Sequence, residues 1–237
     1  MLNKIVNRFN IRTIVVCIFL TSSFTRLKAQ ENIVVVKEIS VYAQMVRQNA
    51  LKKMVELKTM IPGIRYDLRY ATPNNFMHEQ LYKDGSITFL RLPAAEALAK
   101  VEQDLNEKGL SLKIWDAYRP YSVTVKMWEQ IKDDRYVADP KKGSGHNRGI
   151  AVDLTIVEMS SGKELNMGTG FDNFSDTAHQ DFVNLPDVIL RNRSLLKTVM
   201  EKYGFTALPT EWWHFFWPDS SFELLDIPSK KFKKNLN

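Results

Sequence analysis

Ser144-Gly-His-Asn-Arg-Gly-Ile-Ala-Val-Asp153 is the stretch around which the rest of the chain can be organised. It places His146 and Asp153 seven residues apart, at the start of a segment in which apolar residues recur at every second position. That period of two predicts a buried strand, with His146 in the loop before it and Asp153 on the strand, facing the same side. An imidazole and a carboxylate held in this way suit a divalent metal ion.

A third metal-ligand candidate lies near the C-terminus, in Glu211-Trp-Trp-His214. A hydrolytic zinc ion is commonly held by three His, Asp or Glu ligands with an open position for water, and His146, Asp153 and His214 match that set. Glu211 is then close enough to act as the base that takes a proton from the water. On an ideal strand Glu211 and His214 point to opposite faces, so the assignment predicts a bend or bulge at Trp212–Trp213.

Two alternatives to this metal site stay open. Taken singly, each residue is ordinary: His146 is a loop residue, Asp153 a buried hydrogen-bond acceptor, and His214 an interior histidine among tryptophans. His78 and His179 are spare histidines, and either could replace one ligand. Neither spare histidine is followed by a carboxylate seven residues later, as His146 is, so we prefer the first set.

The N-terminal 29 residues have the composition of a secretory signal peptide. They hold five basic and no acidic residues, so most of the chain's formal charge of +6 belongs to them. The apolar run Ile14–Leu20 is shorter than the roughly 20 residues that a membrane-spanning helix needs. Because Leu27-Lys28-Ala29 resembles a small-residue cleavage site, we expect residues 1–29 to be removed on export. The expected location is the bacterial periplasm, without stable membrane insertion.

The remaining composition excludes two other classes of protein. Without the signal segment, 28 basic residues face 27 acidic ones, which argues against a nucleic-acid binder. The only cysteine, Cys17, lies inside the signal segment, so the mature chain has neither disulfides nor thiolate ligands. With 44% hydrophobic residues over 237 positions, the chain can bury the core of one domain.

Periodicity and turn residues predict a mixture of helices and strands. Helices with an apolar stripe are expected at 92–109, 123–131 and 186–203. Strands are expected at 64–70, 110–114, 152–156 and around His214. The other segments are a lead-in at 30–54 that ends in a short strand near 55–58, a long loop over the site at 158–180, and a solvated basic end at 230–234.

Further polar residues sit where loops or strand ends could hold them. Arg119 ends a strand just before Pro120, which disfavours helical angles, so it is either a fixed cation or a structural arginine paired with Asp116. Tyr70 lies at a strand exit, where core packing is the alternative to a functional role. Ser144 stands between two glycines that imply tight backbone geometry.

Together these motifs resemble those of the zinc D-alanyl-D-alanine dipeptidases of the VanX type, within the wider group of zinc D,D-peptidases. The resemblance covers roughly residues 55–225. It rests on the motifs Ser144-x-His146-x-x-Gly149-x-Ala151-x-Asp153, Glu211-Trp-Trp-His214, Asp67-Leu-Arg-Tyr70-Ala-Thr-x-x-Asn75-Phe76, Trp115-Asp-Ala-Tyr-Arg119-Pro120 and Met167-Gly168-x-x-Phe171-Asp172. The blocks that contain Tyr70, Arg119 and Asp172 narrow the group to dipeptidases.

The resemblance implies a role for each candidate residue. One zinc ion per chain would be bound by His146, Asp153 and His214, with Glu211 as the catalytic acid and base. Arg119 would stabilise the oxyanion of the tetrahedral intermediate, a role that suits a fixed guanidinium. The implied substrate contacts are Asp172 with the free ammonium, assisted by Tyr70, and Ser144 near the substrate carboxylate.

The resemblance also implies an α+β fold, with residues 55–237 as one domain built on a central, largely antiparallel sheet flanked by helices. The implied activity is hydrolysis of D-alanyl-D-alanine, or a related short wall-derived peptide, to free amino acids. Two alternatives remain: a D,D-carboxypeptidase that trims longer wall peptides, and a non-catalytic wall-peptide binding module that contains zinc. An exported enzyme of this kind would recycle or scavenge wall-derived dipeptides.

Overall fold

The computed structural model describes residues 33–83 and 85–234. The predicted signal peptide and Cys17 lie outside these residues. The chain from Ile33 onward belongs to one compact unit. Within the described ranges, no helix combines the length and the apolar character needed to cross a membrane.

Strands and helices are interspersed along the chain, which confirms the mixed α and β class. The strands are β1 (Val35–Val36), β2 (Met54–Glu56), β3 (Arg65–Tyr66), β4 (Phe89–Arg91), β5 (Leu110–Asp116), β6 (Ala151–Glu158), β7 (Thr206–Ala207), β8 (His214–Phe216) and β9 (Leu224–Leu225). The helices are α1 (Ile39–Gln48), α2 (Leu57–Met60), α3 (Leu92–Asn106), α4 (Tyr121–Ile131), α5 (Gly145–Arg148), α6 (Asp187–Lys202) and α7 (Ser229–Lys234).

A five-stranded sheet with the order β3-β5-β6-β8-β7 forms the centre of the fold. The pair β3 and β5 is parallel, and the other three neighbouring pairs are antiparallel. Every residue of β6 except Glu158 is buried, so side chains on both faces of this strand are covered. Two-stranded pairings of β1 with β9 and of β2 with β4 stand beside this sheet.

The three predicted helices are confirmed, with small shifts at their ends. In α3, Pro93 lies in the first turn and the buried face includes Leu98, Val101 and Leu105. Gly109 follows the helix with a φ of 71°, a left-handed conformation that glycine adopts without strain. Helix α4 begins at Tyr121, two residues before the predicted start, and α6 covers nearly all of the segment predicted for it.

The prediction that His146 lies in a loop before Asp153 was wrong. His146 lies on the short helix α5, not in irregular structure, because Ser144 caps that helix and Asn147 completes a reciprocal capping box. Gly149, with a φ of 71°, ends the helix and turns the chain into β6. A helix of four residues is too short to leave a periodic signal, which explains the error.

Both ends of the described chain are more structured than predicted. The lead-in segment contains α1, whose Tyr42 packs edge-on against Phe232 at 5.0 Å. Phe232 is fully buried and belongs to α7, so the basic end is not simply solvated.

The predicted strand at 64–70 is shorter in the structure. It covers only Arg65–Tyr66, because the chain then enters a 3-10 turn over Arg69–Ala71.

Arg91 ties three distant segments together. Its side chain is fully buried, and its guanidinium donates to the carbonyl oxygens of Arg148 at 2.8 Å, Glu223 at 3.2 Å and Lys52. Burial lowers the pKa of Arg91 to about 10, so it stays charged at neutral pH.

We expect Arg91→Met to lower the free energy of unfolding by roughly 3 kcal/mol, because three partly buried carbonyl oxygens would lose their donor. Urea unfolding of this variant should be compared with that of Lys53→Met, which changes an exposed side chain in the segment next to it. Equal midpoints for the two variants would contradict this role of Arg91.

Candidate active site

Three neighbouring strands bring carboxylates and a histidine into one row. Asp153 pairs with His214 across β6 and β8, and Asp116 pairs with Asp153 across β5 and β6. His146 reaches the same point from α5. The sheet register therefore assembles a cluster from residues that are far apart in sequence.

The predicted metal ligands converge. The His146 Nε2 and His214 Nδ1 atoms are 3.2 Å apart. Asp153 places one carboxylate oxygen 3.3 Å from His146 Nε2 and the other 2.9 Å from His214 Nδ1. One ligand atom from each residue lies within 4.8 Å of the others, so the group could hold a metal ion. Neither His78 nor His179 belongs to it.

The hydrogen bonds of His146 leave the right atom available for a metal. Its Nδ1 lies 2.7 Å from the carbonyl oxygen of Ala117. Because a carbonyl only accepts, Nδ1 carries the proton and Nε2 presents its lone pair to the cluster. Burial alone would raise the pKa of Asp153, but His146 and His214 outweigh it and lower that pKa, so the carboxylate is ionised. Burial lowers the pKa of His214, which favours its neutral form.

The bend predicted at Trp212–Trp213 is present. These two residues form a turn just before β8, and the amide of His214 donates to the carbonyl oxygen of Glu211 at 3.3 Å. As a result, Glu211 and His214 line the same cleft, with a Glu211 Oε2 to His214 Nδ1 distance of 3.8 Å. Burial, helped by the carboxylates of Asp153 and Asp172, raises the pKa of Glu211 well above its ordinary value, while Arg119 opposes the shift.

Arg119 is a fixed cation that lines the cleft, and it is also paired with Asp116, so both sequence interpretations hold together. Its Nε and Nη2 lie 2.9 and 2.7 Å from Asp116 Oδ2, while Nη2 is 3.8 Å from Asp153. Tyr82 donates to the other Asp116 oxygen at 2.8 Å. Burial lowers the pKa of Arg119, but Asp116 and further neighbours hold it above its ordinary value. Asn147 donates to the Arg119 carbonyl oxygen at 2.9 Å, which fixes the backbone as well.

Asp172 has one satisfied and one unsatisfied carboxylate oxygen. Tyr70 donates its hydroxyl hydrogen to Oδ1 at 2.9 Å, while Oδ2 is buried without a hydrogen-bond partner. The backbone of Asp172 has a φ of 58°, a conformation that residues other than glycine rarely adopt. Burial raises the pKa of Asp172 to about 7. A strained acid with an unpaired buried oxygen in a cleft is a site that can receive a cation.

The cleft that these residues line has a volume of about 170 Å³. It is smaller than the roughly 300–1,000 Å³ typical of pockets for drug-sized ligands, so it suits a short ligand. Ser144 lies on its wall, where its hydroxyl oxygen accepts from the His146 amide at 3.2 Å. All eight predicted site residues line this one cleft.

Several residues that support the site were not identified from the sequence. Asn147 completes the Ser144 capping box, and the Ser-x-x-Asn spacing is a variant of the pattern that could have revealed it. Tyr82 and the aromatic residues at the cleft rim carry no local signal, because their partners are distant in sequence.

Comparison with known proteins agrees with this geometry. The Peptidase_M15 family model, described as "D-ala-D-ala dipeptidase", matches residues 50–234. The D-alanyl-D-alanine dipeptidase of Escherichia coli is 36% identical over 174 residues, which cover 73% of this chain and 89% of that protein. The D-alanyl-D-alanine dipeptidase of Streptomyces coelicolor is 31% identical over 176 residues, which cover 66% of this chain and 87% of that protein.

Among solved structures, an LdcB LD-carboxypeptidase superposes with a TM-score of 0.36 and 22% identity, over 56% of this chain and 61% of its own. That likeness is too distant to add to the assignment. The family model and the two dipeptidases are sufficient without it, since they cover most of the chain. The chain belongs to the D-Ala-D-Ala dipeptidase family, and it is a peptidase.

Proposed function

We propose that this chain hydrolyses D-alanyl-D-alanine to two molecules of D-alanine, with one zinc ion per chain. The observation that carries the proposal is the composition of a single small cleft. Three possible metal ligands, the buried acid Glu211 and the cation Arg119 share it with Asp172, whose unpaired oxygen suits an ammonium group.

The ligand set fits zinc better than it fits the hard cations. Two imidazole nitrogens and one carboxylate match a catalytic zinc site, whereas calcium and magnesium prefer oxygen ligands. One ligand atom each from His146, Asp153 and His214 lies within 4.8 Å of the others, so these three residues would hold the ion together.

Each side chain then has a defined task in the hydrolysis. A bound zinc ion would supply Lewis-acid activation of the scissile carbonyl and of the attacking water. Glu211 would take the water's proton on a carboxylate oxygen and deliver it to the nitrogen of the leaving amine. Burial raises the pKa of Glu211, which makes its carboxylate a better proton acceptor.

Arg119 would stabilise negative charge on the carbonyl oxygen as the tetrahedral intermediate forms. Its guanidinium is held by Asp116, so it would not have to reorganise during the reaction. Asp172 would pair with the substrate ammonium, with Tyr70 holding the carboxylate in place, and Ser144 would lie near the substrate carboxylate. Contacts at both ends of the ligand favour a dipeptide over a longer chain.

A substrate panel tests the proposal against its alternatives. Purified zinc-loaded protein should release D-alanine from D-Ala-D-Ala much faster than from a pentapeptide that ends in D-Ala-D-Ala, and should leave L,L-dipeptides intact. Preference for the pentapeptide would support a D,D-carboxypeptidase instead. If the protein bound these peptides without cleaving any of them, it would be a binding module.

We also propose that the enzyme is exported and acts on wall-derived dipeptides in the periplasm, with residues 30–54 as a lead-in to a dipeptidase domain at 55–237. Support comes from the basic and apolar pattern of residues 1–29. Mass spectrometry of the protein from a bacterial periplasm should show a mature N-terminus near residue 30. Recovery of the intact chain from the cytoplasm would contradict export.

A further inference from the structure

Three aromatic side chains from three separate loops meet at the rim of the cleft. The rings of Tyr136 and Phe174 stack with their centroids 4.9 Å apart, and Phe174 meets Phe76 edge-on at 5.2 Å. All three line the cleft, and all three are only partly buried. We call Phe76, Tyr136 and Phe174 the aromatic clasp.

The clasp is fixed beside the groups that would bind and cleave the substrate. Phe174 follows Asp172 by two residues, and the same loop is anchored inward by Phe171, which packs against Trp115 at 5.2 Å and Trp213 at 5.7 Å. Arg135 directly precedes Tyr136, and its carbonyl oxygen accepts from the hydroxyl of Thr210 at 2.9 Å. Thr210 in turn directly precedes Glu211.

A second cavity lies immediately behind the clasp. It has a volume of about 210 Å³ and is lined by polar residues of the turn after Tyr70, among them Asn74 and His78. Phe76 and Asp172 line both this cavity and the catalytic cleft. Phe76 therefore separates the Asp172 end of the cleft from empty space that could hold further residues of a longer peptide.

We propose that the aromatic clasp is the length filter of this enzyme, with Phe76 as the partition and Phe174 as the side chain that holds it closed. The inference rests on the proposed function, because it assumes that Asp172 binds the amino end of a dipeptide. A peptide extended at that end must continue past Asp172, where Phe76 blocks the passage into the second cavity. Truncation of Phe76 joins the two spaces, and truncation of Phe174 removes the ring that holds Phe76 in the passage, so either change admits the extension.

The test compares an N-acetylated or N-terminally extended D-Ala-D-Ala peptide with the free dipeptide, as a ratio of kcat/KM values. We expect Phe76→Ala and Phe174→Ala to raise this ratio in favour of the longer substrate by at least about tenfold. Tyr136→Phe, which keeps the stacked ring, should retain the wild-type ratio.

Two results would overturn the length filter. One is an unchanged ratio in both alanine variants while wild-type protein cleaves the dipeptide, in which case the proposed function survives. The other is a Tyr136→Phe variant that shifts the ratio as far as the alanine variants do. If an alanine variant loses all turnover, the same substitution is made in the Glu211→Gln protein. Calorimetry then measures the Kd values of the longer peptide and of the free dipeptide, and their ratio replaces the ratio of kcat/KM values. Absence of dipeptide cleavage by wild-type protein would instead refute the proposed function.

Discussion

Replacing Glu211 by glutamine is expected to lower kcat for D-Ala-D-Ala by about 10³-fold, within the range usual for loss of a general acid or base. The amide has nearly the same size and can occupy the same buried position, but it cannot take up a proton from water. In the wild type, Glu211 Oε2 lies 3.8 Å from His214 Nδ1, and Glu211 is not part of the three-ligand cluster. We therefore expect Glu211→Gln to bind the metal as the wild type does.

The measurement pairs steady-state kinetics with the metal content of the same preparations. Glu129→Gln is the matched control, since Glu129 is exposed on α4, outside the cleft, and should leave kcat unchanged. If Glu211→Gln retained zinc and wild-type turnover, Glu211 would not be the catalytic acid and base. Parallel loss of zinc and activity would show that Glu211 acts as a ligand, which also contradicts the assigned role.

Replacing Asp172 by asparagine is expected to lower kcat/KM by about 10²-fold or more, because the substrate ammonium would lose a buried charged partner. In the proposed complex, the ionised carboxylate of wild-type Asp172 pairs with the substrate ammonium. Since the pKa of Asp172 is about 7, kcat/KM should fall as the pH drops below that value. The Asp172→Asn variant should lose this component of the pH profile.

The same substitution should stabilise the unliganded protein at higher pH. Burial raises the pKa of Asp172 from 3.8 to about 7, so the folded state binds this proton more tightly than the unfolded state does. Stability is therefore lost as pH rises from about 4 to 7, and the pKa difference corresponds to on the order of 4 kcal/mol. Asparagine removes this cost, and it tolerates the left-handed backbone at least as well as aspartate.

Urea unfolding of metal-free protein at pH 4.5 and pH 8 tests this expectation. The advantage of Asp172→Asn over wild type should be small at the lower pH and larger at the higher one. The control is Asp181→Asn, which replaces an exposed carboxylate in the same loop region. Its stability relative to wild type should not change between the two pH values. If the stability gained by Asp172→Asn over wild type were no larger at pH 8 than at pH 4.5, the buried carboxylate would not be destabilising.

Local sequence patterns predicted the parts of the fold that depend on neighbouring residues. Pro93 and Gly109 mark the ends of one helical segment, and the alternation around Asp153 marks a strand, because both signals come from the backbone preferences of the residues themselves. The turn at Trp212–Trp213 was predicted from the roles assigned to Glu211 and His214, because the two side chains could share a cleft only if the strand were interrupted there.

Long-range contacts could not be predicted in the same way. The row of Asp116, Asp153 and His214 depends on the register of three strands, which local periodicity does not encode. Helix α1 is stabilised by contacts such as that of Tyr42 with Phe232, near the opposite end of the chain. The aromatic clasp joins three loops, and no single loop carries a signal for it.

The most direct test of metal-dependent dipeptide hydrolysis is the release of D-alanine from D-Ala-D-Ala as zinc is added back to metal-free protein. Turnover should be absent without metal, rise in proportion to bound zinc and reach its plateau at one ion per chain. Full activity in the metal-free protein, or no D-alanine from the zinc-loaded protein, would contradict the proposed function.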